Sequence, residues 1–322
     1  MAKIVSVVVP VYFNEQALPD LFGKLGYVES KLEEQGVQLE LIFVDDGSGD
    51  NSLALLRQFK LARPATKVIK LARNFGAISA VKVGIDHLSG DAFLFLAADL
   101  QDPPDLIPEM VAHWLKGKKY VICERTDRDD PLGTKMFSAV YYKLLRKFVA
   151  PSYPQQGFDL ALMDKVFVPY LRQSGKHVNF PLFPFWLGFA PEKIQYKRLA
   201  RKHGKSRWTF GKKWKLLIDS IFSFSFAPVR IISSIGLLVS VASFSYGALV
   251  VVSALIGKIE LPGFATLAAL ISFLLGLIIV MLGVISEYTW RIFDEVNKHP
   301  YAVIDEIVEA PCDNESAPGQ VR

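Results

Sequence analysis

The chain has 322 residues, of which 51% are hydrophobic and 21% are charged, with 37 Lys plus Arg against 32 Asp plus Glu and a formal net charge of +5. A composition this apolar excludes a disordered chain. The apolar residues are concentrated near the C-terminus, so a single soluble globule is also excluded. The sequence therefore predicts a water-soluble part followed by a membrane part.

The first part of the chain alternates predicted strands and helices. We predict strands over residues 4–11, 39–44, 67–71, 92–97 and 120–123, with helices beginning near Leu18 and covering 51–59, 76–88 and 105–115. This alternation is typical of a parallel α/β sheet. In such sheets ligands bind beyond the carboxyl ends of the strands.

Polar residues follow each of the first four predicted strands. They form the segments Pro10–Glu15, Asp45–Asp50, Arg73–Gly76 and Asp99–Pro104. Taken singly, each segment also fits an ordinary turn, helix cap or helix start. Taken together at one edge of a sheet, they predict a polar cleft suited to a nucleotide and a hard cation. The chain contains neither Gly-x-Gly-x-x-Gly nor Gly-x-x-x-x-Gly-Lys-Ser, so neither a dinucleotide fold nor a P-loop is supported.

Two long apolar segments dominate the C-terminal third. Residues 231–257 and 261–286 contain no Asp, Glu, Lys or Arg, and a membrane-spanning helix needs about 20 apolar residues. We predict two spans joined as a hairpin over residues 229–290. The alternative is a pair of buried helices in a large soluble core, which seldom run so far without a charge.

The distribution of charge predicts the orientation in the membrane. Nine Lys or Arg and no acid lie between Lys197 and Lys215, a stretch that we call the basic run. By the positive-inside rule both ends of the chain lie in the cytoplasm of a plasma (inner) membrane, as a multi-pass protein. Two cysteines, Cys123 and Cys312, cannot form a disulfide framework or a zinc site, which agrees with a reducing compartment.

The remaining segments complete the predicted domain organisation. We expect a cytoplasmic catalytic domain over residues 1–210, an amphipathic helix in the membrane interface over 211–228, and a cytoplasmic segment over 291–322. Within that last segment, residues 301–309 are expected to pack on the soluble domain and 310–322 to form a disordered tail. Small residues such as Gly236 permit close helix packing, either inside the hairpin or between subunits of a homo-oligomer.

These motifs, in this order, resemble the family 2 glycosyltransferases. Within that family the chain is similar to the membrane-bound polyprenyl-phosphate (bactoprenol) glycosyltransferases, a group that includes dolichol-phosphate mannose synthases. The resemblance covers nearly the whole chain and is carried by the four polar segments, residues 125–129, residues 202–207 and the terminal hairpin. It implies a nucleotide-diphosphate-sugar-binding α/β domain of the type called GT-A, facing the cytoplasm, with a lipid phosphate as acceptor.

The resemblance implies roles for the polar segments. The residues expected to bind the nucleotide sugar are Pro10, Tyr12, Glu15, Asp45, Asp46, Arg73 and Asp99. A metal, Mg²⁺ or Mn²⁺, would be held against the diphosphate by Asp99, Gln101 and Asp102, because a hard cation on oxygen ligands stabilises the leaving group. Many relatives have a second acid where this chain has Ala97.

The resemblance also implies a catalytic acid, Asp159, in a position where relatives place a base. A phosphomonoester is already mostly dianionic at pH 7, so Asp159 could instead orient the acceptor or support the charge that develops on the sugar. An ordinary turn or cap Asp is the structural alternative. The family often has Arg at the position of Ala161, which leaves the local alignment open.

Basic residues are expected to bind the acceptor phosphate, since arginine contacts phosphate through two parallel hydrogen bonds. They are Arg125, Arg128, Arg201, His203, Lys205 and Arg207. Two alternatives stay open: the basic run attracts anionic lipid without specific contacts, and Arg125 and Arg128 form exposed salt bridges.

The function implied is inverting transfer of a sugar, glucose from UDP-glucose being the first candidate, to undecaprenyl phosphate. The partners are then a nucleotide-diphosphate sugar, polyprenyl phosphate and the bilayer, with no nucleic acid. Two rivals remain. One is a processive polysaccharide synthase, against which stands Gly204 in place of the glutamine of a Gln-x-x-Arg-Trp motif. The other is a non-catalytic membrane protein that binds nucleotide sugar.

Overall fold

The structure is a computed structural model of the chain. It describes residues 2–126, 139, 141–147, 149–155, 157–175, 179–196, 211, 227–256, 263–297 and 299–308. The chain divides into two compact units, residues 1–220 with 300–322, and residues 221–299.

The first unit contains a mixed sheet of eight strands. The strands are β1 Lys3–Val11, β2 Val37–Asp45, β3 Lys67–Leu71, β4 Ala92–Phe95, β5 Tyr120–Arg125, β6 Phe158–Asp164, β7 Glu192–Tyr196 and β8 Ile304–Val308. Their order across the sheet is β7-β5-β6-β4-β1-β2-β3-β8. Strands β1 to β4 are mutually parallel, as predicted. Strand β6 is antiparallel to β4 and β5, and β8 is antiparallel to β3, so the complete sheet is mixed rather than parallel.

Helices cover both faces of the sheet. They are α1 Leu18–Glu33, α2 Ser52–Ala62, α3 Ala77–His87, α4 Ile107–Leu115, α5 Val168–Gln173 and α6 Phe183–Trp186. Helix α1 shows why they form: Leu18, Leu21, Leu25, Val28 and Leu32 recur every three or four residues and are all buried. Proline in the first turn of α1 and of α4 suits a helix start, because the amide it lacks would have no partner there.

Successive side chains of a strand point to opposite faces of the sheet, so the core is divided into two layers. In β2, Phe43 packs in the cluster that includes α1 and α4, whereas Ile42 and Val44 pack in the cluster that includes α3. A strand buried on both faces reads as a continuous apolar run. This is why the central strands could be predicted from the sequence.

The strand order creates a crevice at one edge of the sheet. From β1 the chain steps outward to β2 and β3, then returns to place β4 on the other side of β1. Ligand sites in open α/β sheets lie at such a switch point, beyond the carboxyl ends of the strands. The polar segments that follow β1 to β4 all lie at this edge.

Strand β8 belongs to the first unit although it follows the last long helix in sequence. It pairs with β3, and the Ala72 amide donates to the Val303 carbonyl over 2.9 Å. Arg57 on α2 forms an ion pair with Glu306 at 2.6 Å. The expectation that residues 301–309 pack on the soluble domain is confirmed over the described residues 301–308. Residues 310–322 lie outside the described residues.

The second unit consists of two long helices, α7 Ala227–Leu255 and α8 Phe264–Val296. Residues 273–294 have a mean hydropathy of 1.9 and none is buried, so by length and composition they could cross a membrane; they are the single such stretch in the described part of the chain. The two helices pack together: a Cβ added at Gly236 would lie 2.8 Å from the Met281 methyl carbon. The two-span hairpin stays a prediction.

Candidate active site

The loops after β1 and β2 are joined by hydrogen bonds between backbone and side chains. The Phe13 amide donates to Ser48 Oγ over 3.1 Å, and the Glu15 amide donates to Asp50 Oδ2 over 3.2 Å. In return, the Asn51 amide donates to Glu15 Oε2 over 3.0 Å. The carboxylate of Glu15, predicted to contact the nucleotide sugar, therefore also holds the two loops together.

Asp46 connects the ends of three strands. Its carboxylate accepts hydrogen bonds from the amides of Phe75 at 2.7 Å and Gly76 at 2.9 Å, and its own amide donates to the Val11 carbonyl at 2.8 Å. Only 3% of the residue is exposed. Burial raises the pKa of Asp46, while the two amides and the nearby Arg73 act in the opposite direction.

A glycine allows the loop after β2 to approach the loop after β3. Gly47 has φ +71°, and a Cβ added there would lie 2.7 Å from the carbonyl carbon of Arg73. Any side chain at Gly47 would therefore push the Arg73 backbone away. The Arg73 guanidinium lies over the Phe75 ring, 4.1 Å from its centroid. The structure thus brings the predicted nucleotide-binding residues Asp46 and Arg73 together.

The remaining residues predicted to bind the nucleotide sugar differ in exposure. Asp45 is fully buried and accepts the Ser48 amide on Oδ2 at 3.3 Å, and among the described residues its Oδ1 has no hydrogen-bond partner. Burial raises its pKa. Pro10 lies near the end of β1 and Tyr12 follows it, both half-buried, with the Tyr12 ring edge-on to an exposed Phe13 at 4.7 Å.

The predicted metal ligands lie on one tight loop after β4. Leu100 has φ +58°, and the Gln101 amide donates to Asp99 Oδ1 over 3.2 Å. Within the described residues no three His, Cys, Asp or Glu lie close enough to form a metal site by themselves. Two carboxylates, Asp99 and Asp102, and one amide fit a hard cation that draws its other ligands from diphosphate and water.

Asp159 lies at the same edge of the sheet, although it comes from an antiparallel strand. It is the second residue of β6, and pairing of Leu94 with Leu162 places it beyond the carboxyl end of β4. The Arg125 guanidinium donates two hydrogen bonds to the Asp159 carboxylate, and the Tyr196 hydroxyl donates a third. A turn or helix-cap role for Asp159 is wrong, because the residue lies within a strand.

This ion pair is nearly enclosed, with 11% of the Arg125 side chain and 7% of the Asp159 side chain exposed. The alternative of an exposed Arg125 salt bridge is therefore wrong. The pair joins a predicted acceptor-binding residue to the predicted catalytic residue. Tyr196 is not among the residues that the sequence predicts for the site; it ends an ordinary strand, and no motif distinguishes it from a core tyrosine.

The other residues predicted to bind the acceptor lie outside the described residues. They are Arg128, Arg201, His203, Lys205 and Arg207. Nearly all of the predicted interfacial helix over residues 211–228 also lies outside them.

Comparison with known proteins decides the family. The family model described as "Glycosyl transferase family 2" matches residues 6–168, which include most of β1, all of β2 to β6 and every polar segment described above. The chain belongs to glycosyl transferase family 2. The predicted α/β domain of the GT-A type is thereby confirmed.

Curated relatives match the chain almost from end to end. An uncharacterised glycosyltransferase of Synechocystis sp. is 33% identical over 94% of this chain and 95% of its own length. The bactoprenol glucosyl transferase of Shigella phage SfII is 32% identical over 93% of this chain and 97% of its own length. An uncharacterised glycosyltransferase of Bacillus subtilis is 34% identical over 93% and 92%.

Solved structures show a more distant likeness. A mannosyltransferase from Pyrobaculum calidifontis in complex with GDP-Man and Mn²⁺ is 15% identical, covers 88% of each chain, and has a TM-score of 0.46. Glucosyl-3-phosphoglycerate synthase from Mycobacterium tuberculosis in complex with UDP is 16% identical, covers 69% of this chain and 80% of its own, and has a TM-score of 0.49.

Proposed function

We propose that this family 2 glycosyltransferase transfers a sugar from a nucleoside diphosphate to a polyprenyl phosphate, with glucose from UDP-glucose and undecaprenyl phosphate as first candidates. A phosphate oxygen of the lipid attacks the anomeric carbon from the side opposite the nucleoside diphosphate. The bond from the anomeric carbon to the diphosphate breaks, giving polyprenyl-phospho-sugar with inverted configuration. Inversion follows from the family resemblance.

The observation that carries this proposal is the extent of the similarity to bactoprenol glucosyl transferases. The family model ends at residue 168, yet these relatives match over 93% of the chain. The match therefore includes most of the second half of the chain, where α7, α8 and β8 lie. An acceptor held in a membrane would require a part of the enzyme that lies in the membrane, whereas a water-soluble acceptor would not.

The loops after β1 to β4 support binding of the donor. The Asp46 carboxylate accepts two backbone amides and the Arg73 guanidinium is exposed, and both residues follow strands at the edge of the sheet where Asp99 follows β4. A divalent cation on the loop from Asp99 to Asp102 would neutralise charge on the departing diphosphate. Mg²⁺ and Mn²⁺ both suit the oxygen ligands present.

The ion pair of Arg125 and Asp159 supports an electrostatic role for Asp159. The Asp159 carboxylate already accepts two hydrogen bonds from a guanidinium and one from a phenol, which fix its orientation. The acceptor needs little help from a base, because a phosphomonoester with a second pKa of about 6 is mostly dianionic at pH 7. We infer that Asp159 stabilises positive charge on the sugar and positions Arg125 for the incoming phosphate.

The proposed location is the plasma membrane, with the catalytic domain in the cytoplasm and α7 and α8 forming a two-span hairpin. Residues 273–294 have the length and composition to span, and the sequence of α7 contains a charge-free stretch beginning at Ile231. The basic run precedes α7 in sequence, where it would lie against anionic lipid.

Transfer from radiolabelled donors to undecaprenyl phosphate in detergent tests this proposal. The donors are a panel of UDP-sugars and GDP-sugars, each assayed with Mg²⁺, with Mn²⁺ and with EDTA. We expect a metal-dependent lipid product, labile to mild acid, from one donor. A long water-soluble polymer would identify a polysaccharide synthase instead, and donor binding without any product would identify a non-catalytic binding protein.

A further inference from the structure

The C-terminal segment, which we define as residues 300–308, lies along the edge of the sheet next to the loop that follows β3. Its strand β8 is the last strand in the sheet order and runs antiparallel to β3. The amide of Ala72, the residue directly before Arg73, donates to the Val303 carbonyl over 2.9 Å. Two ion pairs join the segment to neighbouring elements, Lys70 with Asp305 and Arg57 with Glu306. The end of β3 therefore receives a hydrogen bond from a segment more than 200 residues away in sequence.

Tyr301 fixes the start of this segment on the face of the sheet that α3 covers. Its hydroxyl donates to the Asp86 carboxylate, and the Lys82 ammonium lies 4.9 Å from the centroid of its ring. Arg172 of α5 lies 3.6 Å from the same carboxylate. Burial and the hydrogen bond to Asp86 raise the pKa of Tyr301, so the hydroxyl stays protonated and able to donate. Tyr301 thus joins the C-terminal segment to α3 and, through Asp86, to α5.

Tyr301 is also linked to the loop after β3 through the apolar core. The side chains of Tyr301 and Phe75 both pack against the cluster formed by residues of β1, β2, β3 and α3. The Phe75 ring lies 4.1 Å from the Arg73 guanidinium, and the Phe75 amide donates to Asp46. The C-terminal segment therefore supports the loop at two points, at Ala72 through a backbone hydrogen bond and at Phe75 through a shared cluster.

The other contacts of Arg73 are local. Residues 72–74 are exposed, and the Arg73 guanidinium donates to the carbonyl of the adjacent Asn74 over 3.2 Å. An exposed loop with local contacts depends on the elements at its two ends for a fixed conformation. A loop that is already fixed loses less conformational entropy when a ligand binds, so its affinity is higher.

We propose that Tyr301 and β8 position the loop from Arg73 to Gly76 for binding of the sugar donor. Tyr301 is a positioning residue, because it acts through Phe75 and through the end of β3. The inference rests on the proposed function for the role of Arg73 in donor binding. It adds that the segment following the last long helix of the chain contributes to donor affinity.

Titration of the full chain in detergent with UDP-glucose and with GDP-mannose, each with Mg²⁺, tests the inference. The variants are Tyr301→Ala, Tyr301→Phe and, as a matched control, Tyr27→Ala, which removes an exposed tyrosine from α1. We expect Tyr301→Ala to weaken donor binding by about five- to ten-fold. Tyr301→Phe keeps the ring and loses only the hydrogen bond to Asp86, so a decrease of about two-fold is expected. The control should bind the donor as wild type does.

Transfer kinetics separate positioning from a general loss of stability. In Tyr301→Ala the donor KM should rise by the same factor as the dissociation constant, with kcat within about two-fold of wild type. A purely structural role would lower the unfolding temperature and leave the donor KM of the folded protein unchanged. If Tyr301→Ala does not fold, Tyr301→Phe decides, and an unchanged donor affinity in that variant overturns the inference.

Hydrogen exchange followed by mass spectrometry distinguishes failure of this inference from failure of the proposed function. We expect faster exchange in Tyr301→Ala at the amides of Ala72, Phe75 and Gly76, with exchange in α1 unchanged. If wild type binds neither donor, the proposed function fails, and faster exchange at these amides still supports a loop held by Tyr301. Exchange equal to wild type, or faster exchange with unchanged donor affinity, overturns the inference.

Discussion

The two halves of the catalytic edge are built from different interactions. On the side of β1 to β4, loops are held by hydrogen bonds to backbone amides, as in the contacts of Asp46 with Phe75 and Gly76. On the side of β5 to β7, charged side chains from separate strands meet in the enclosed cluster of Arg125, Asp159 and Tyr196. The first side is shaped by local backbone geometry and the second by long-range charge pairing.

Under the proposed function, the two halves would have different tasks. Backbone amides and a metal loop suit a donor whose diphosphate and nucleoside have a constant shape. A guanidinium already oriented by a carboxylate suits an incoming phosphate, because its fork is fixed before the substrate arrives. Changes on the first side should mainly alter donor and metal dependence, and changes on the second should mainly alter turnover with the acceptor.

The largest effect is expected from Asp99→Ala. The variant loses the carboxylate proposed to bind the metal, and loss of several kcal/mol of charge stabilisation corresponds to a rate decrease of about a thousand-fold or more. Initial rates across a titration of Mg²⁺ and Mn²⁺ measure it. Asp105→Ala, which removes an exposed carboxylate paired with Lys24, is the control and should keep wild-type activity. An Asp99→Ala enzyme with normal metal dependence would disprove the metal assignment.

Asp159→Asn is expected to reduce kcat by about a hundred-fold with little change in donor KM. The amide keeps the shape of the carboxylate but removes the negative charge from an enclosed ion pair, and a hundred-fold decrease in rate corresponds to about 2.7 kcal/mol. Arg125→Gln should also reduce activity. In the double variant the activation free energy should rise by much less than the sum of the increases in the two single variants, because the residues act as a pair. Additive losses would show that the two side chains work independently.

Asp46→Ala is expected to raise the KM for the nucleotide sugar and to lower stability. Removing the carboxylate leaves the partly buried amides of Phe75 and Gly76 without this acceptor, at a total cost of about 1–3 kcal/mol. Asp46→Asn, which keeps one acceptor oxygen, should fall between wild type and Asp46→Ala. Donor titrations and denaturant unfolding measure the two effects, and an unchanged donor KM in Asp46→Ala would remove Asp46 from the donor site.

The smallest effect is a pH dependence of stability at Asp45. Burial raises the pKa of this aspartate in the folded protein, so its ionised form disfavours folding at neutral pH. That penalty disappears as pH falls through the raised folded pKa toward the ordinary aspartate value of about 3.9. We therefore expect Asp45→Asn to be at least as stable as wild type at pH 7, with its relative advantage shrinking as pH falls. Thermal unfolding of both proteins between pH 7 and pH 4 tests this, and an advantage that grows on acidification would contradict it.

Most of the first half of the fold could be predicted because its signals are local. The buried face of α1 repeats every three or four residues, and β1 to β3 are short segments rich in Val, Ile and Leu that are followed by polar segments. The edge strand β7, which ends at Tyr196, has no such signal, because a five-residue segment with alternating exposure is too short to be distinguished from a loop. Strand β6 could not be predicted for a different reason. Its Asp159 matches a family motif, but the pairing of β6 with β4 is set by contacts between distant parts of the chain.

The residues of the candidate site that could be predicted are those with local signals. Residues at successive strand ends, such as Asp46 and Asp99, could be placed at one edge from the βα alternation alone. The contact between Arg125 and Asp159 joins residues 34 positions apart in sequence, and the register of β5 against β6 shifts between Ile122 and Glu124, just before Arg125. No spacing rule predicts such a pair.

The most direct test of the proposed reaction compares two acceptors that differ by one group, undecaprenyl phosphate and undecaprenol. Each is incubated with the enzyme, the preferred metal and UDP-glucose, and the intact mass of the lipid product is measured. The proposed function predicts one added hexose on the phosphate lipid and none on the alcohol. Equal transfer to both lipids, or release of free sugar alone, would contradict a lipid-phosphate acceptor.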